Sequence, residues 1–320
     1  MKADLLAIGV DLGGTKIASV LVSPNGEVLT ARQALTGPAD GPEAVLDRLA
    51  AEIDALAAQA PDRLAGVGIG SPGWGDYRAG VIHKALNLGW TDVKLVSGVT
   101  TRLRHALPIW LEKDTHASTL GEYYFGAGRG CADFVYIAVG TGLGSGVIVN
   151  GQLAYGAERI GADLGHISLD PHGRPCTCGL RGCAETILSG LGLVSAVSDL
   201  LAQAHPASLL DGWLCDQDLT PALILEAARK GDPVAATAFT EAGAALGFII
   251  SVSVAAFNPA RVVIGGGLGV AAFDLLAPPA RAELACRIPP SRWENVQIVP
   301  SQLVSSAIGA ACLVWERSKI

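Results

Sequence analysis

His166, Cys176, Cys178 and Cys183 lie within the run GHISLDPHGRPCTCGLRGC. Thiolates and an imidazole packed this densely suit a closed, tetrahedral zinc site. The pattern Cys-x-Cys-Gly-x-x-Gly-Cys puts three ligands between positions 176 and 183, with Gly179 and Gly182 where the backbone must turn tightly around a metal. His172 competes with His166 for the fourth position. Such a site makes no bonds in a reaction; it braces a loop. That loop carries Asp163, His166 and Glu185, polar groups able to face a substrate. Three incidental cysteines in a turn are the plain alternative.

A second chemistry is written in glycine. Asp11-Leu12-Gly13-Gly14-Thr15-Lys16 sits between two apolar strands. Its glycines let backbone N–H groups approach anionic oxygens, Thr15 adds a hydroxyl and Lys16 a positive charge. The spacing is not that of a Walker A loop, and a strand follows instead of a helix. Asp11 can hold Mg²⁺ directly or through water. Gly140-Thr141-Gly142-Leu143-Gly144 repeats the device. Gly265-Gly266-Gly267 follows the apolar run Val262–Ile264 and permits close approach of a flat ring or a ribose, or else forms a structural strand-to-helix turn.

Glu112-Lys113-Asp114 follows the apolar run Ile109–Leu111. Acidic groups at the carboxyl end of a strand point into the crevice where open α/β sheets bind ligands. A carboxylate there accepts the proton of a hydroxyl that attacks phosphorus. Gly73 in Ser71-Pro72-Gly73 and Asn87 in Asn87-Leu88-Gly89-Trp90 lie in loops, and Asn offers both donor and acceptor to a sugar hydroxyl. His83, His105 and His205 have no matched partners in the sequence and read as surface or structural residues.

These groups need elements to hold them. Apolar, β-rich runs at Leu5–Val10, Ile17–Val22, Ala65–Ile69, Ile109–Glu112, Phe134–Val139, Ser145–Val149, Arg261–Ile264 and Val296–Val299 alternate with helices, the pattern of an α/β protein. Over Pro42–Ala60, Val45, Leu46, Leu49, Ile53 and Leu56 recur at helical steps and give one buried face. Thr220-Pro221 and Asp232-Pro233 open further helices, and Asn258-Pro259 closes the second. VDLGGTKIASVLV (Val10–Val22) and VGTGLGSGVIV (Val139–Val149) both run strand, glycine turn, strand, which predicts two related α/β lobes with a compact crossover near Glu112–Gly121.

At 320 residues the chain has room for about two domains. A net charge of −7 without a concentrated basic surface excludes nucleic acid as the main partner. The uncharged stretch Ala242–Phe257 is short for a membrane span and contains Ser251 and Ser253, so it reads as a buried helix. No leader precedes the first strand, and Cys131, Cys215, Cys286 and Cys312 lack framework spacing, which fits thiols in a reducing cytoplasm.

This combination resembles the ROK family of bacterial sugar kinases and related repressors, from Val10 to about Ala311, most specifically in CTCGLRGCAE (Cys176–Glu185) and in the Gly-His ten residues before Cys176. The resemblance implies an actin-like (ribonuclease H-like) two-lobe fold with mixed sheets flanked by helices. Residues 1–115 would form the N-terminal lobe, completed by a helix over 304–320, and residues 116–303 the lobe with the zinc loop. It implies that Asp11, Gly13, Gly14, Thr15 and Lys16, with Thr141, Gly142 and Gly144, cradle the phosphates of ATP with Mg²⁺, and that Gly265, Gly266 and Gly267 lie by the adenosine. Asp114 matches the catalytic base. Gly73, Asn87, His166 and Glu185 match sugar-lining positions, and Lys113 and Asp163 stand where the family usually has Asn and Glu that touch sugar hydroxyls. His166, Cys176, Cys178 and Cys183 match the ligands of a structural zinc.

The activity implied is ATP-dependent phosphorylation of a hexose hydroxyl, of glucose type at the 6-position, with closure of the two lobes excluding water. An N-acetylmannosamine, N-acetylglucosamine or cyclitol kinase, or a catalytically altered sugar-binding regulator, are the alternatives. ROK repressors carry an added N-terminal DNA-binding segment, whereas here the first phosphate strand begins within ten residues of Met1. The expected partners are a small sugar and ATP, with neither nucleic acid nor membrane, in a cytoplasmic homodimer or homotetramer.

Overall fold

Even- and odd-numbered residues of β1 (Leu6–Leu12) are buried on opposite faces, as the two-residue period of a strand requires: Leu6, Ile8, Val10 and Leu12 enter one apolar cluster and Ala7 another. β1 pairs antiparallel with β2 (Lys16–Val22), which pairs with β3 (Val28–Leu35). After α1 (Pro42–Ala57), β4 (Leu64–Ser71) returns parallel to β1. A small antiparallel sheet follows, formed by β5 (Trp74–Asp76), β6 (Val81–Ala85) and β7 (Trp90–Val93), then α2 (Leu95–Thr100). β8 (Ile109–Lys113) adds in parallel to β4, and α3 (Asp114–Phe125) begins at the next residue.

The order β3-β2-β1-β4-β8 then recurs. β9 (Phe134–Val139), β10 (Leu143–Val149) and β11 (Gln152–Leu153) form a second antiparallel meander. Four helices intervene: α4 (Gly190–Leu201), α5 (Leu209–Trp213), α6 (Pro221–Arg229) and α7 (Pro233–Phe257). β12 (Arg261–Gly265) pairs parallel to β9; α8 (Gly267–Ala271), α9 (Phe273–Arg287) and the parallel edge strand β13 (Gln297–Pro300) complete the order β11-β10-β9-β12-β13. The last helix is α10 (Ser306–Arg317).

This computed structural model describes residues 5–203, 207–215 and 217–317, so His205 lies outside the described residues. The chain divides into two units, one of Met1–Gly130, Tyr155–Gly161 and Gln302–Ile320, the other of Cys131–Ala154 and Ala162–Ser301.

All eight strand runs expected from the sequence form strands, most of them extended by one or two residues. The apolar stretch Ala242–Phe257 lies in α7, and 67% of that helix's most apolar 18-residue window is buried. Asp232 caps α7 by accepting from the Ala235 N–H at 2.8 Å, and Asn258 ends it in a left-handed conformation (φ 46°). β3 and the β5–β7 sheet carry little apolar periodicity because β3 and β5 hold no buried residue and β6 and β7 are short with two each. α9 holds Pro278 and Pro279 within a continuous helix and packs against α7 at Gly243 and Gly247.

In the first unit α10 lies directly on the sheet. A Cβ at Gly9 would overlap the Ala307 carbonyl oxygen, and one at Gly68 the Ala310 carbonyl oxygen. Gly121 of α3 and Gly309 of α10 meet in the same way, so α3 is held to α10 backbone against backbone. Gly68→Ala is therefore expected to destabilise the protein by about 3 kcal/mol, at the upper end of overpacking costs, because the obstacle is main chain and cannot rotate away. Urea unfolding followed by circular dichroism measures this; a midpoint equal to the parent's contradicts it.

Candidate functional site

The first glycine turn is built by its neighbours. The Gly13 N–H donates to the Lys16 carbonyl at 2.9 Å, and the Thr36 hydroxyl donates to the Gly13 carbonyl at 2.7 Å. Thr15 and Lys16 point outward and are exposed. Gly14 runs beneath Asn87, whose carbonyl oxygen would lie 3.0 Å from an added Cβ, so the structure brings these two predicted residues together. Asn87 itself is exposed on the short 3₁₀ turn Leu86–Leu88. Gly73 has a positive φ of 96° and accepts from the Tyr77 hydroxyl at 2.7 Å, which gives its residue type a local reason.

Asp11 ends β1 and accepts a hydrogen bond from the Ser306 hydroxyl at the start of α10. Burial raises its pKa despite that bond and the charge of Lys16. Asp114 is the first residue of α3, and its Oδ1 accepts from the Thr115 N–H at 2.6 Å. Burial, and then repulsion from Asp11, push the Asp114 carboxyl up to about 6, against the opposing influences of Lys113, the Thr115 N–H and His116. Two desolvated carboxylates that repel each other suit a divalent cation and a proton acceptor poised near neutrality.

The second unit carries the other turn. The Gly140 N–H donates to the Gly142 carbonyl at 2.9 Å, leaving Thr141 exposed at the tip between β9 and β10. Glu185 Oε2 accepts from the Leu143 N–H at 2.9 Å and covers Gly142, so that an added Cβ would displace the carboxylate. α4 begins under the same turn, where the Gly190 N–H reaches the Gly140 carbonyl at 2.8 Å. Gly144 lies on β10, opposite Ala138. Gly265 and Gly266 have steric reasons of their own, since Cβ atoms there would strike the Tyr136 ring and the Val139 backbone. Gly267 faces open space.

His166, Cys176, Cys178 and Cys183 converge: one ligand atom from each lies within 4.8 Å of all the others. His172 is not in this cluster. The Cys176 sulfur is 3.6 Å from His166 Nδ1, and the Cys178 and Cys183 sulfurs are 3.6 Å apart. The edges of a tetrahedron around zinc are about 3.6 Å for nitrogen to sulfur and about 3.8 Å for sulfur to sulfur, so the donor set fits that ion. All three thiols are free, and burial pushes the Cys183 thiol up to about 12, so metal uptake must displace protons. Small bridges hold the loop, Ser168 to Cys183 and Pro175 to Arg181. Glu185 Oε1 is 4.0 Å from the Cys176 sulfur, so this one side chain touches both the cluster and the glycine turn. Asp163 is exposed, and its carbonyl accepts from the His166 N–H at 3.3 Å.

His83 departs from its expected lack of a partner: its Nδ1 is 2.8 Å from Asp92 and its ring tilts against Trp74, both neighbours brought in by the β5–β7 sheet. Beyond the predicted residues the structure adds Ser306 at Asp11, and Glu112, His116 and Arg159 around Asp114. Sequence offered no signal for Ser306 or Arg159, whose partners are far apart in the chain, whereas Glu112 was already part of the acidic strand end.

A repeated five-stranded mixed sheet, flanked by helices and bearing a glycine turn on its first hairpin, defines an actin-like α/β protein. The chain belongs to the ROK family, whose sequence model matches residues 7–317. It is 34% identical to the glucokinase of Thermotoga maritima over 316 residues, 98% of each chain. Its structure is similar to that of a ROK family glucokinase from Streptomyces griseus in complex with glucose and AMPPNP (TM-score 0.80, 33% identity, 97% of this chain and 99% of that one). It is also similar to a ROK family transcriptional regulator homologous to the MLC protein of E. coli (TM-score 0.83, 26% identity), covering 98% of this chain and 78% of the regulator.

The raised pKa of Asp114 has a consequence for stability. The folded carboxyl titrates near 6 and an unfolded aspartate near 3.8, so stability from its neutral form is complete at low pH and lost as pH rises through 6. The ionised form thus costs about 3 kcal/mol at pH 7.5, the difference between the two values converted to free energy. Asp114→Asn keeps the acceptor for the Thr115 N–H and removes that cost. Its Tm is expected to exceed the parent's at pH 7.5, by less at pH 5, and to converge on it only below about pH 4, where the unfolded aspartate is protonated as well; calorimetry across that range checks this.

Proposed function

We propose that the protein is an ATP-dependent sugar kinase that transfers the γ-phosphoryl group to the 6-hydroxyl of glucose. The observation that carries this reading is Asp114, a half-buried carboxylate pushed up to about 6 at a strand-to-helix junction, in a family with glucokinase relatives across nearly the whole chain. Asp114 orients the acceptor hydroxyl and takes its proton as the oxygen attacks phosphorus. The glycine turns at Gly13–Gly14 and Thr141–Gly142 present backbone N–H groups to phosphate oxygens. Gly265–Gly267 lie beside the adenosine. Asn87, Gly73, Lys113, Asp163, His166 and Glu185 line the sugar, with Lys113 supplying donors only.

Asp11 would hold Mg²⁺, which supplies neutralising charge to the phosphates, and His166, Cys176, Cys178 and Cys183 would hold zinc, which supplies rigidity. The free thiols fit a reducing, cytoplasmic setting. A sugar-binding regulator without catalysis is the second reading, favoured by the similarity to a transcriptional regulator; Asp114 in its desolvated, proton-accepting setting argues for the kinase.

A coupled ADP-release assay across glucose, mannose, N-acetylglucosamine, N-acetylmannosamine and inositol is expected to show the highest kcat/KM with glucose. The rate should fall as pH drops through about 6, where Asp114 gains a proton. Asp114→Asn is expected to lose roughly 10²–10⁴-fold in kcat, the range for a general base. Near-parent turnover in that variant would remove the assignment, and no turnover with any sugar would favour the regulator.

Freshly purified protein is expected to contain about one zinc per chain. Cys178→Ser should lower that content and reduce kcat/KM for sugar by roughly 10–100-fold, as when a ligand's support is lost. Metal analysis that finds no zinc in unstripped protein contradicts the metal assignment.

A further inference from the structure

Asp114 is flanked two residues away on each side by fully buried ionisable groups, Glu112 at the end of β8 and His116 in the first turn of α3. Glu112 Oε1 lies 3.1 Å from His116 Nδ1, so the two side chains join strand end to helix start across Asp114. The Lys113 N–H donates to the same oxygen at 3.2 Å. Arg159 donates to the other oxygen, Glu112 Oε2, and is itself only 7% exposed.

Arg159 belongs to Tyr155–Gly161, a segment that packs with the first unit although its chain neighbours on both sides belong to the second. The Gly161 N–H donates to the Tyr155 carbonyl at 2.9 Å and closes the segment into a loop. Within it Arg159 takes a left-handed backbone (φ 58°), uncommon for a residue with a side chain, and its guanidinium stacks 3.7 Å over the Tyr155 ring. The same ring meets His116 edge-on, with centroids 5.7 Å apart. His116 Nε2 is 3.2 Å from the Gly161 carbonyl.

His116 therefore faces an acceptor with each ring nitrogen: a carboxylate at Nδ1 and a backbone carbonyl at Nε2. A neutral imidazole has one donor and one acceptor and satisfies only one of them; the imidazolium satisfies both. We infer that Glu112, His116 and Arg159 form a positioning network for Asp114, with His116 held as an imidazolium. The inference rests on Asp114 being the base of the proposed kinase. The charged and titratable groups facing His116 are Glu112 from β8, Asp114 from α3, and Arg159 and Tyr155 from the loop.

The network does two things. It fixes the first turn of α3 from outside that helix, and it places a positive charge beside the base, which favours the ionised, proton-accepting form of Asp114. A buried ion pair is weak evidence for stability. Here one donor, Arg159 Nε, is buried without a partner, so the guanidinium is not saturated by its surroundings. Its use is better read as placement than as reinforcement of the fold.

The test compares pH–rate profiles for glucose phosphorylation, ATP KM and Tm in the parent, His116→Gln, Arg159→Met, Arg159→Lys and the double variant Glu112→Gln/Arg159→Met. In His116→Gln the acid limb of kcat/KM is expected to move up by roughly one pH unit, the scale of losing one nearby positive charge. In Arg159→Met, kcat is expected to fall roughly 100-fold, the scale of a small misplacement of a reacting group, with ATP KM unchanged; Arg159→Lys should recover part of it. The double variant removes the unpaired buried charge and should regain the parent Tm but not the parent kcat.

A purely structural role gives the opposite pattern, an unmoved acid limb and a double variant that regains rate and Tm together, and that pattern overturns the network. Nitrogen NMR of the histidines in the parent protein at pH 7 gives a check independent of any variant's folding. Both His116 ring nitrogens protonated is the expected result, and a neutral tautomer overturns the inference. If the parent lacks activity, or Asp114→Asn retains it, the kinase reading fails, while the His116 spectrum still reports on the network.

Discussion

Asp114 follows Lys113 with no residue between strand and helix. That junction is the constraint from which the geometry of the first unit follows. A residue there takes its position from the sheet on one side and from the helix on the other, so neither can shift without moving the carboxylate. α3 is in turn pinned to α10 through Gly121 and Gly309, and α10 to the sheet through Gly9 and Gly68. Asp11, on β1 of the same sheet with β4 between it and β8, is tied to the first turn of α10 by Ser306. Two carboxylates in low-dielectric surroundings are thereby kept near enough to repel each other, an arrangement that costs stability and gives reactivity.

The second unit repeats the sheet order but uses its turn differently. Where the first hairpin is supported by Thr36, the second is supported by a carboxylate, Glu185, which also approaches the Cys176 sulfur. A phosphate-type turn and a candidate metal loop are thus coupled through one side chain. Before that loop, Asp163 caps the short 3₁₀ segment Leu164–His166, which is held at its start by Ser145, donating to the Ala162 carbonyl and accepting from the Leu164 N–H at 3.0 Å.

Much of this was legible in the sequence because it is local. Hairpins around Gly13–Gly14 and Thr141–Gly142 are short-range, strongly apolar and punctuated by glycine, so both the strands and their duplication could be read. The cluster of His166 with three cysteines was legible because metal ligands must be few, soft and closely spaced. Edge strands such as β3 and β11 were not, since β3 buries no residue and β11 is only two residues long, which leaves little periodic signal. α9 was hidden by Pro278 and Pro279, which ordinarily argue against a helix. The Glu112–Arg159 contact joins residues 47 positions apart through a polar loop, and pairing of this kind is set by tertiary packing alone.

The discontinuity of the first unit bears on how the chain is made. Its sheet face of Ala7, Val20 and Val22 is covered by Ala307, Ile308, Ala311 and Val314, which leave the ribosome roughly 300 residues later, tens of seconds at ordinary elongation rates. Throughout that interval the nascent sheet lacks its covering helix and, until residue 159 is synthesised, the arginine that pairs with Glu112. The last helix is then a late keystone, and the emerging polypeptide depends on chaperones or on speed to keep an apolar face from sticking to its neighbours.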